Sequence, residues 1–421
     1  MSLEQRDKKH IWHPLKQHQL NPDSLAIIKA KGCILTDEYG NEYIDAISSW
    51  YTCMYGHCND YITSRVANQM QQLDQVMFSD FTHKSAVKLS EELIKILPSN
   101  QQKIFFSENG STSTEVGIKM ALQYFFNKEK KRNVLVAFEN AFHGDTFGAM
   151  AISGLSIYNS PFKDFLIDVK RIPVPDGRNN RAVLEQLKNI LCENSVAGFI
   201  YEPLVQGAAG MKMYNTDGLN EILKYCKANE VITIADEVMT GFGKTGKHFA
   251  SDHIETKPDV ICLSKALTGG LMPMAITTCT QDIYDAFLSN EMSKGLFHCH
   301  TYSANPLACS AALASIELLQ TEEIQKSIRK IISFHKTFSE RIKNHPAVKS
   351  TRHMGVIFAL DLNTQSERYG ELRDKLLAFF MNKGVFLRPL GNTIYIQPPY
   401  IISKSQLQKV YKTIEEALEI V

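Results

Sequence analysis

The sequence predicts an α/β protein: a mostly parallel central sheet with helices on both faces, joined to a smaller α+β domain. Three observations carry this. Between residues 101 and 280 the apolar runs KIFF, VLVAF, VAGFIYEP, VITIADEV, DVICLS and MAITTC alternate with amphipathic or turn-rich segments, the pattern of strands crossed over by helices. Within that series VITIA is continuously apolar and rich in β-branched residues, as a strand buried on both faces requires. Beyond it the chain changes character. Helical stretches at 308–319 and 324–342 precede GVIFAL, a helix near 372–382, VFLRPL, TIYIQPP and a last helix from Ser403, which is an α+β mixture.

Ahead of the sheet, residues 27–51 read as a meander: a strand, a turn at 37–41 containing Gly40, and a second strand ending in Ser48-Ser49-Trp50-Tyr51. The expected division is therefore 1–55 as an N-terminal segment joining the small domain, 56–314 as the large domain and 315–421 as the small one. No repeat or low-complexity linker separates them, so packed rather than tethered domains are expected.

Composition narrows the function. Forty-six basic and 45 acidic residues leave a net charge of +1 over 421 residues, without the basic stripe of a nucleic-acid binder. A charged N-terminus, and no apolar run of the roughly 18 residues a membrane span needs, predict a cytoplasmic protein free of membrane. Nine cysteines without paired short spacings suit a reducing compartment. His298-Cys299-His300 places soft ligands side by side but offers no fourth at useful spacing, so no metal site is expected.

In an open α/β sheet, ligands bind beyond the carboxyl ends of the strands. Three such places carry chemistry. KIFF runs into Ser107-Glu108-Asn109-Gly110-Ser111-Thr112 ahead of a helical stretch at 115–126, so Gly110 and Ser111 lie where a helix start binds phosphate, or simply where a turn is capped. The Gly-Lys-Ser/Thr of a nucleoside-triphosphate loop is missing. Asp236 and Glu237 emerge from VITIA, and an acid there serves a protonated ring nitrogen, a metal or a turn. Lys265, in Ser264-Lys265-Ala266-Leu267-Thr268-Gly269-Gly270 after DVICLS, is the discriminating residue, because a buried lysine is costly unless it is paired or used covalently. Together the three supply what pyridoxal phosphate needs: a phosphate cup, an acid for the pyridine nitrogen and an amine for the aldehyde. Lys265 would then move protons as base and acid, which requires a pKa well below the ordinary value of about 10.4.

At this point the motifs ENGSTSTE, AFHGDTFGAM, YEPLVQGAAGM, DEVMTGFGKTG, SKALTGG and HTYSANPLAC closely resemble the class III, ornithine/GABA-type aminotransferases of the pyridoxal-phosphate-dependent transferase fold type I. The resemblance spans nearly the whole chain. IWHP, SSWY and RPLGNTIYIQPPYII are similar to the biotin-biosynthetic branch of that family. It implies transamination of 8-amino-7-oxononanoate to 7,8-diaminononanoate, with S-adenosylmethionine as amino donor. The alternative is another ω-aminotransferase, acting with ornithine, GABA, lysine or a diamine.

The same resemblance implies that Gly110 and Ser111 bind the cofactor phosphate and that Thr301 completes the cup from a second subunit, which makes a homodimer part of the expectation. Phe142 would lie on the pyridine ring with His143 beside it, and Glu202 and Gln206 would line the ring's polar edge. Trp50 and Tyr51 would wall an aliphatic channel, Arg388 would pair with the distant carboxylate, and Tyr395 would help to separate the two substrates. Each has a plainer reading: core aromatics, a surface ion pair for Arg388, a helix cap for Thr301. Three residues depart from the pattern. Phe142 stands for the usual Tyr, Lys244 for the Arg of GFGRTG, and Leu15 for a Tyr that reaches the substrate amine.

Overall fold

A computed structural model describes residues 1–20, 23–154, 159–364 and 367–421. Near the start, β1 (Ile27–Lys31), β2 (Ile34–Asp37) and β3 (Glu42–Asp45) form the antiparallel meander. Its turn is held by Asp37, whose carboxylate accepts the Tyr39 and Asn41 N–H groups at 3.0 and 2.8 Å. β3 stops at Asp45, so the expectation of a strand running to Tyr51 is corrected. The physical reason lies in the Asp45 side chain, which accepts the Ile47 N–H and the Ser49 hydroxyl and turns the backbone out of the ladder.

The central sheet contains β4 (Lys103–Ser107), β5 (Val134–Phe138), β6 (Val169–Ile172) and β7 (Val196–Tyr201). A short ribbon follows, β8 (Val205–Gln206) with β9 (Lys212–Met213), and then β10 (Ile232–Asp236), β11 (Val260–Leu263) and β12 (Ala275–Cys279) complete the sheet. Their spatial order is β4-β12-β11-β10-β7-β5-β6, with β12 antiparallel to both neighbours and the other pairings parallel. β6 has no counterpart among the expected strands. It is an edge strand of sequence VKRI, whose two central cations break the apolar signal. β10 is buried at every position, as its composition requires.

The helix Gly110–Asn127 crosses the sheet over β12, β11, β10 and β7. Close approach is possible because Gly117 faces the Cys262 and Ile234 side chains, where an added Cβ would lie 3.2 Å from each. After the helices Pro306–Leu319 and Glu322–Ile342 come β13 (Val348–Met354), β14 (Ile357–Leu362), β15 (Val385–Phe386) and β16 (Thr393–Ile396). β13, β14 and β16 form a small antiparallel sheet, while β15 adds in parallel to β3 and ties the N-terminal meander to the C-terminal region. β13 escapes sequence reading because VKSTRHM alternates too weakly. The helix Pro306–Leu319 is capped by Asn305, which accepts the Leu307 and Ala308 N–H groups, so Thr301 is not its cap. Among the described residues no helix is long and apolar enough to cross a membrane.

Candidate active site

The site gathers at the carboxyl ends of β4, β10 and β11. Asp236 closes β10 in register with Cys262 of β11, three residues before Lys265, so parallel pairing alone brings the two side chains to one edge. Lys265 begins a short 3-10 turn, Lys265–Thr268, and adopts φ +52°, a left-handed conformation that a non-glycine residue keeps only where its surroundings impose it. Burial pushes its amine below the ordinary lysine value, while the charges of Asp236 and Glu202 pull the other way. That balance is what a proton-transferring amine needs.

Asp236 is buried, with Oδ1 accepting the Val238 N–H at 3.1 Å and Oδ2 lying 2.7 Å from His143 Nδ1. The pair fixes the carboxylate's orientation. His143 is delivered by the 141–145 loop, which lies over the start of the helix Gly110–Asn127. Gly144, at φ +134°, permits this, since a Cβ there would collide with Ser111. At the helix start a capping box between Asn109 and Thr112 occupies the Thr112 N–H, while the N–H groups of Gly110 and Ser111 in the first turn are the ones that could hold an anion. Gly110 itself has no room for a side chain, because a Cβ would lie 2.8 Å from Val238.

Glu202 is buried and accepts the Phe142 and Gly207 N–H groups at 3.0 and 2.9 Å. Burial pushes its carboxyl up to about 7, Asp236 adds to the rise and His143 opposes it. Gln206 donates to Glu139 O at 2.9 Å, and its Oε1 is buried without a protein partner. Lys244 is also fully buried, with no hydrogen-bond partner for Nζ among the described residues, and both burial and the charge of Lys265 hold its amine well below the usual range.

The opposite side is aromatic and cationic. Residues Ser48, Ser49, Trp50 and Tyr51 all have positive φ, at +51°, +43°, +70° and +72°. Such a left-handed turn costs about 1–2 kcal/mol per L-residue, so it must be held by contacts elsewhere. Tyr51 presents its ring to Lys265 Nζ at 5.3 Å and faces Tyr395 with ring centroids 5.9 Å apart. Trp50, 42 % exposed, lies under the Arg388 guanidinium at 4.5 Å. The reading of Arg388 as a surface ion pair is not met: it is half-buried, and stacking on Trp50 is its visible contact.

Sequence reasoning missed three contributors. Arg368 donates to Ala208 O, and its charge, like that of Arg388, lowers the phenol pKa values of Tyr51 and Tyr395 that burial otherwise drives up. Asp45 and His57 brace the left-handed turn. Burial pushes the His57 imidazole down, but hydrogen bonding and charge from Asp45 and Cys53 together outweigh this and hold it at about 10. No local signal marked any of the three, because the strand expected to run to Tyr51 hid Asp45 as a strand-end acid. Thr301 stands apart from the Lys265 cluster: it is exposed, and its carbonyl accepts from Gln75 at 2.9 Å. Leu15 is partly exposed in the N-terminal segment, and His298 contacts Lys119 and His300.

The donor set fits pyridoxal phosphate. It offers a strained, half-buried lysine, a carboxylate oriented by an imidazole, an open helix start and, in Gln206 Oε1, a buried acceptor without a donor among the described residues. Comparison with known proteins agrees. An adenosylmethionine-8-amino-7-oxononanoate aminotransferase of Synechococcus elongatus is 40% identical over 97% of this chain and 98% of its own. The crystal structure of the enzyme of that name from Methanocaldococcus jannaschii superposes with a TM-score of 0.94 at 32% identity, covering 100% of this chain and 99% of that one. An amine transaminase from an uncultivated Pseudomonas species, solved in its PLP-bound form, gives 0.91 at 25% identity over 97% of this chain and 98% of its own. The aminotransferase class-III family profile matches residues 16–418, and the chain belongs to that family.

Proposed function

We propose that the protein is a pyridoxal-phosphate aminotransferase that converts 8-amino-7-oxononanoate to 7,8-diaminononanoate in biotin biosynthesis, with S-adenosylmethionine as donor. One observation carries the substrate reading: two consecutive aromatic residues of one turn meet a reactive amine and a cation, Tyr51 against Lys265 and Trp50 under Arg388. A long aliphatic ketone ending in a carboxylate needs that sequence of surfaces, and arginine offers carboxylate a two-pronged partner. The similar enzymes of Synechococcus elongatus and Methanocaldococcus jannaschii are named for the same substrate.

When bound, the cofactor supplies an electron sink for the substrate's α-carbon. The chain's own residues do the rest. Gly110 and Ser111 hold the phosphate at the helix start, and Phe142 supplies an apolar face without the hydroxyl of the usual Tyr. Asp236, fixed by His143, presents negative charge to the ring nitrogen. Lys265 would anchor the cofactor's aldehyde end and, as a free amine, would carry the proton from the donor's α-carbon to the cofactor's aldehyde carbon, and in the reverse sense for the ketone substrate. Glu202 and Gln206 would line the ring's polar edge, and Tyr395, packed on Tyr51, would shape the space both substrates share.

The division 1–55, 56–314 and 315–421 belongs to this reading. It is supported by the pairing of β15 with β3 and by the separate β13-β14-β16 sheet. So does a homodimer in which Thr301 reaches a second copy's phosphate cup, supported by the exposure of Thr301 and of the neighbouring Phe297 and Tyr302. A stable, fully active monomer would contradict it. A cytoplasmic location is supported by nine free cysteines.

The test is single-turnover spectroscopy of the holoenzyme with S-adenosylmethionine and lysine in parallel. S-adenosylmethionine should discharge the cofactor absorbance and 8-amino-7-oxononanoate should restore it. Discharge by lysine alone makes lysine the donor. Restoration only by a short ω-aldehyde returns the chain to the general ω-aminotransferases.

A further inference from the structure

The left-handed turn at 48–51 carries both aromatic walls, yet its own backbone does not favour it. Its polar anchors are few. Ser48 Oγ donates to Gln397 O at 2.7 Å, and Ser49 Oγ donates to Asp45 Oδ2 at 2.9 Å. Asp45 is fully buried, and the same oxygen lies 2.8 Å from His57 Nε2, while Oδ1 takes the Ile47 N–H at 3.2 Å. His57 is fastened in turn by backbone bonds in both directions with Gly32, at 2.7 and 3.0 Å. Behind the turn Cys53 presses on Gly270 of the lysine loop, where a Cβ would lie 2.8 Å from both Cys53 N and Sγ. One buried carboxylate thus joins the end of β3, the left-handed turn and the 57 loop, and the turn leans directly on the segment that carries Lys265.

A buried ion pair is a poor source of stability compared with apolar packing of the same volume, so its use here points to fixing a geometry. We propose that Asp45 and His57 are a positioning pair that locks the 48–51 turn and thereby sets selectivity for a long substrate reaching Arg388. Neither touches the reacting atoms. The pair holds the Trp50 ring under the cation and leaves the chemistry at Lys265 to other residues. This rests on the substrate reading above.

The chain has two tryptophans, Trp12 and Trp50, and Trp12 is 90 % exposed. A Trp12→Phe background therefore makes Trp50 the sole indole reporter. In it, Asp45→Asn and His57→Gln should at least double acrylamide quenching of Trp50. They should also raise KM for 8-amino-7-oxononanoate about tenfold. KM for a short ketone without the distal carboxylate, and the rate of the donor half-reaction, should stay within twofold. His57 is the more exposed partner, so His57→Gln keeps the test open if Asp45→Asn does not fold. Unchanged quenching in the folded variants overturns the proposal, as does a parallel fall in both half-reactions. Looser Trp50 with an unaltered KM overturns the selectivity role. If the parent rejects the long ketone, the substrate reading fails, and the quenching alone decides whether the pair positions the turn.

Discussion

Lys265 and Asp236 stand where adjacent strands of the central sheet end, whereas Trp50, Tyr51 and Arg388 come from a left-handed turn and a loop. The first group is placed by backbone hydrogen bonding that the whole sheet enforces. The second is held by a few local backbone bonds within the turn and by a handful of side-chain bonds from Asp45, His57 and Ser48. The contrast separates two tasks. In the proposed function, proton transfer at Lys265, which tolerates little displacement, falls to backbone next to the sheet. Substrate choice falls there to backbone that a few substitutions can re-aim.

The sharpest way to break this comparison is at the sheet edge. Lys265→Ala should lower kcat by about 10³-fold or more, because both the anchoring amine and the proton carrier are lost. Steady-state assays and the absorbance of the bound cofactor would show it. Asp236→Asn should follow, with a loss of about 10²-fold, since the amide keeps the shape but not the charge facing the ring. A smaller loss would mean that the Asp236–His143 pair orients only the loop at 141–145.

These two residues were also the most legible. A strand-end acid and a strand-end lysine follow from apolar runs and the rule that ligands bind beyond strand carboxyl ends, and the structure places both there. Gly110 and Ser111 were legible as a helix start for the same reason. The turn at 48–51 was not, because no local pattern announces four consecutive L-residues in the left-handed region, and SSWY reads as the end of a strand. Asp45 and His57 were missed for want of any periodicity linking residues that meet only once the chain has folded back. Arg368 lies in a polar stretch, SERYG, where nothing marks one arginine as facing two buried tyrosines. β6 and β13 were lost because their charged positions mask the period of two.

Arg388 tests the looser side. Arg388→Ala should raise KM for 8-amino-7-oxononanoate about 30-fold while leaving the donor half-reaction largely intact, the cost of about 2 kcal/mol expected for a charged hydrogen-bonded partner. Equal effects on both half-reactions would place the cation in the shared part of the site and erase the division of labour.

The smallest effect, and the one that reaches into the rigid side through pH, concerns Glu202. Its carboxyl is raised by burial from the ordinary 4.5 to about 7, so between those values the folded protein binds a proton that the unfolded chain has released. Stability from this group is therefore greatest below about 4.5 and falls as pH rises, until above about 7 the buried carboxylate carries its full penalty of about 3 kcal/mol. Glu202→Gln removes the titration. Thermal unfolding of the cofactor-free protein should show the parent losing more stability than the variant between pH 5 and pH 8, by about 3 °C in Tm for a chain of this length. Parallel pH profiles would mean that Glu202 is already ionised at pH 5, with the Phe142 and Gly207 N–H groups and His143 outweighing its desolvation. The polar edge of the site would then be set by hydrogen bonding rather than by burial.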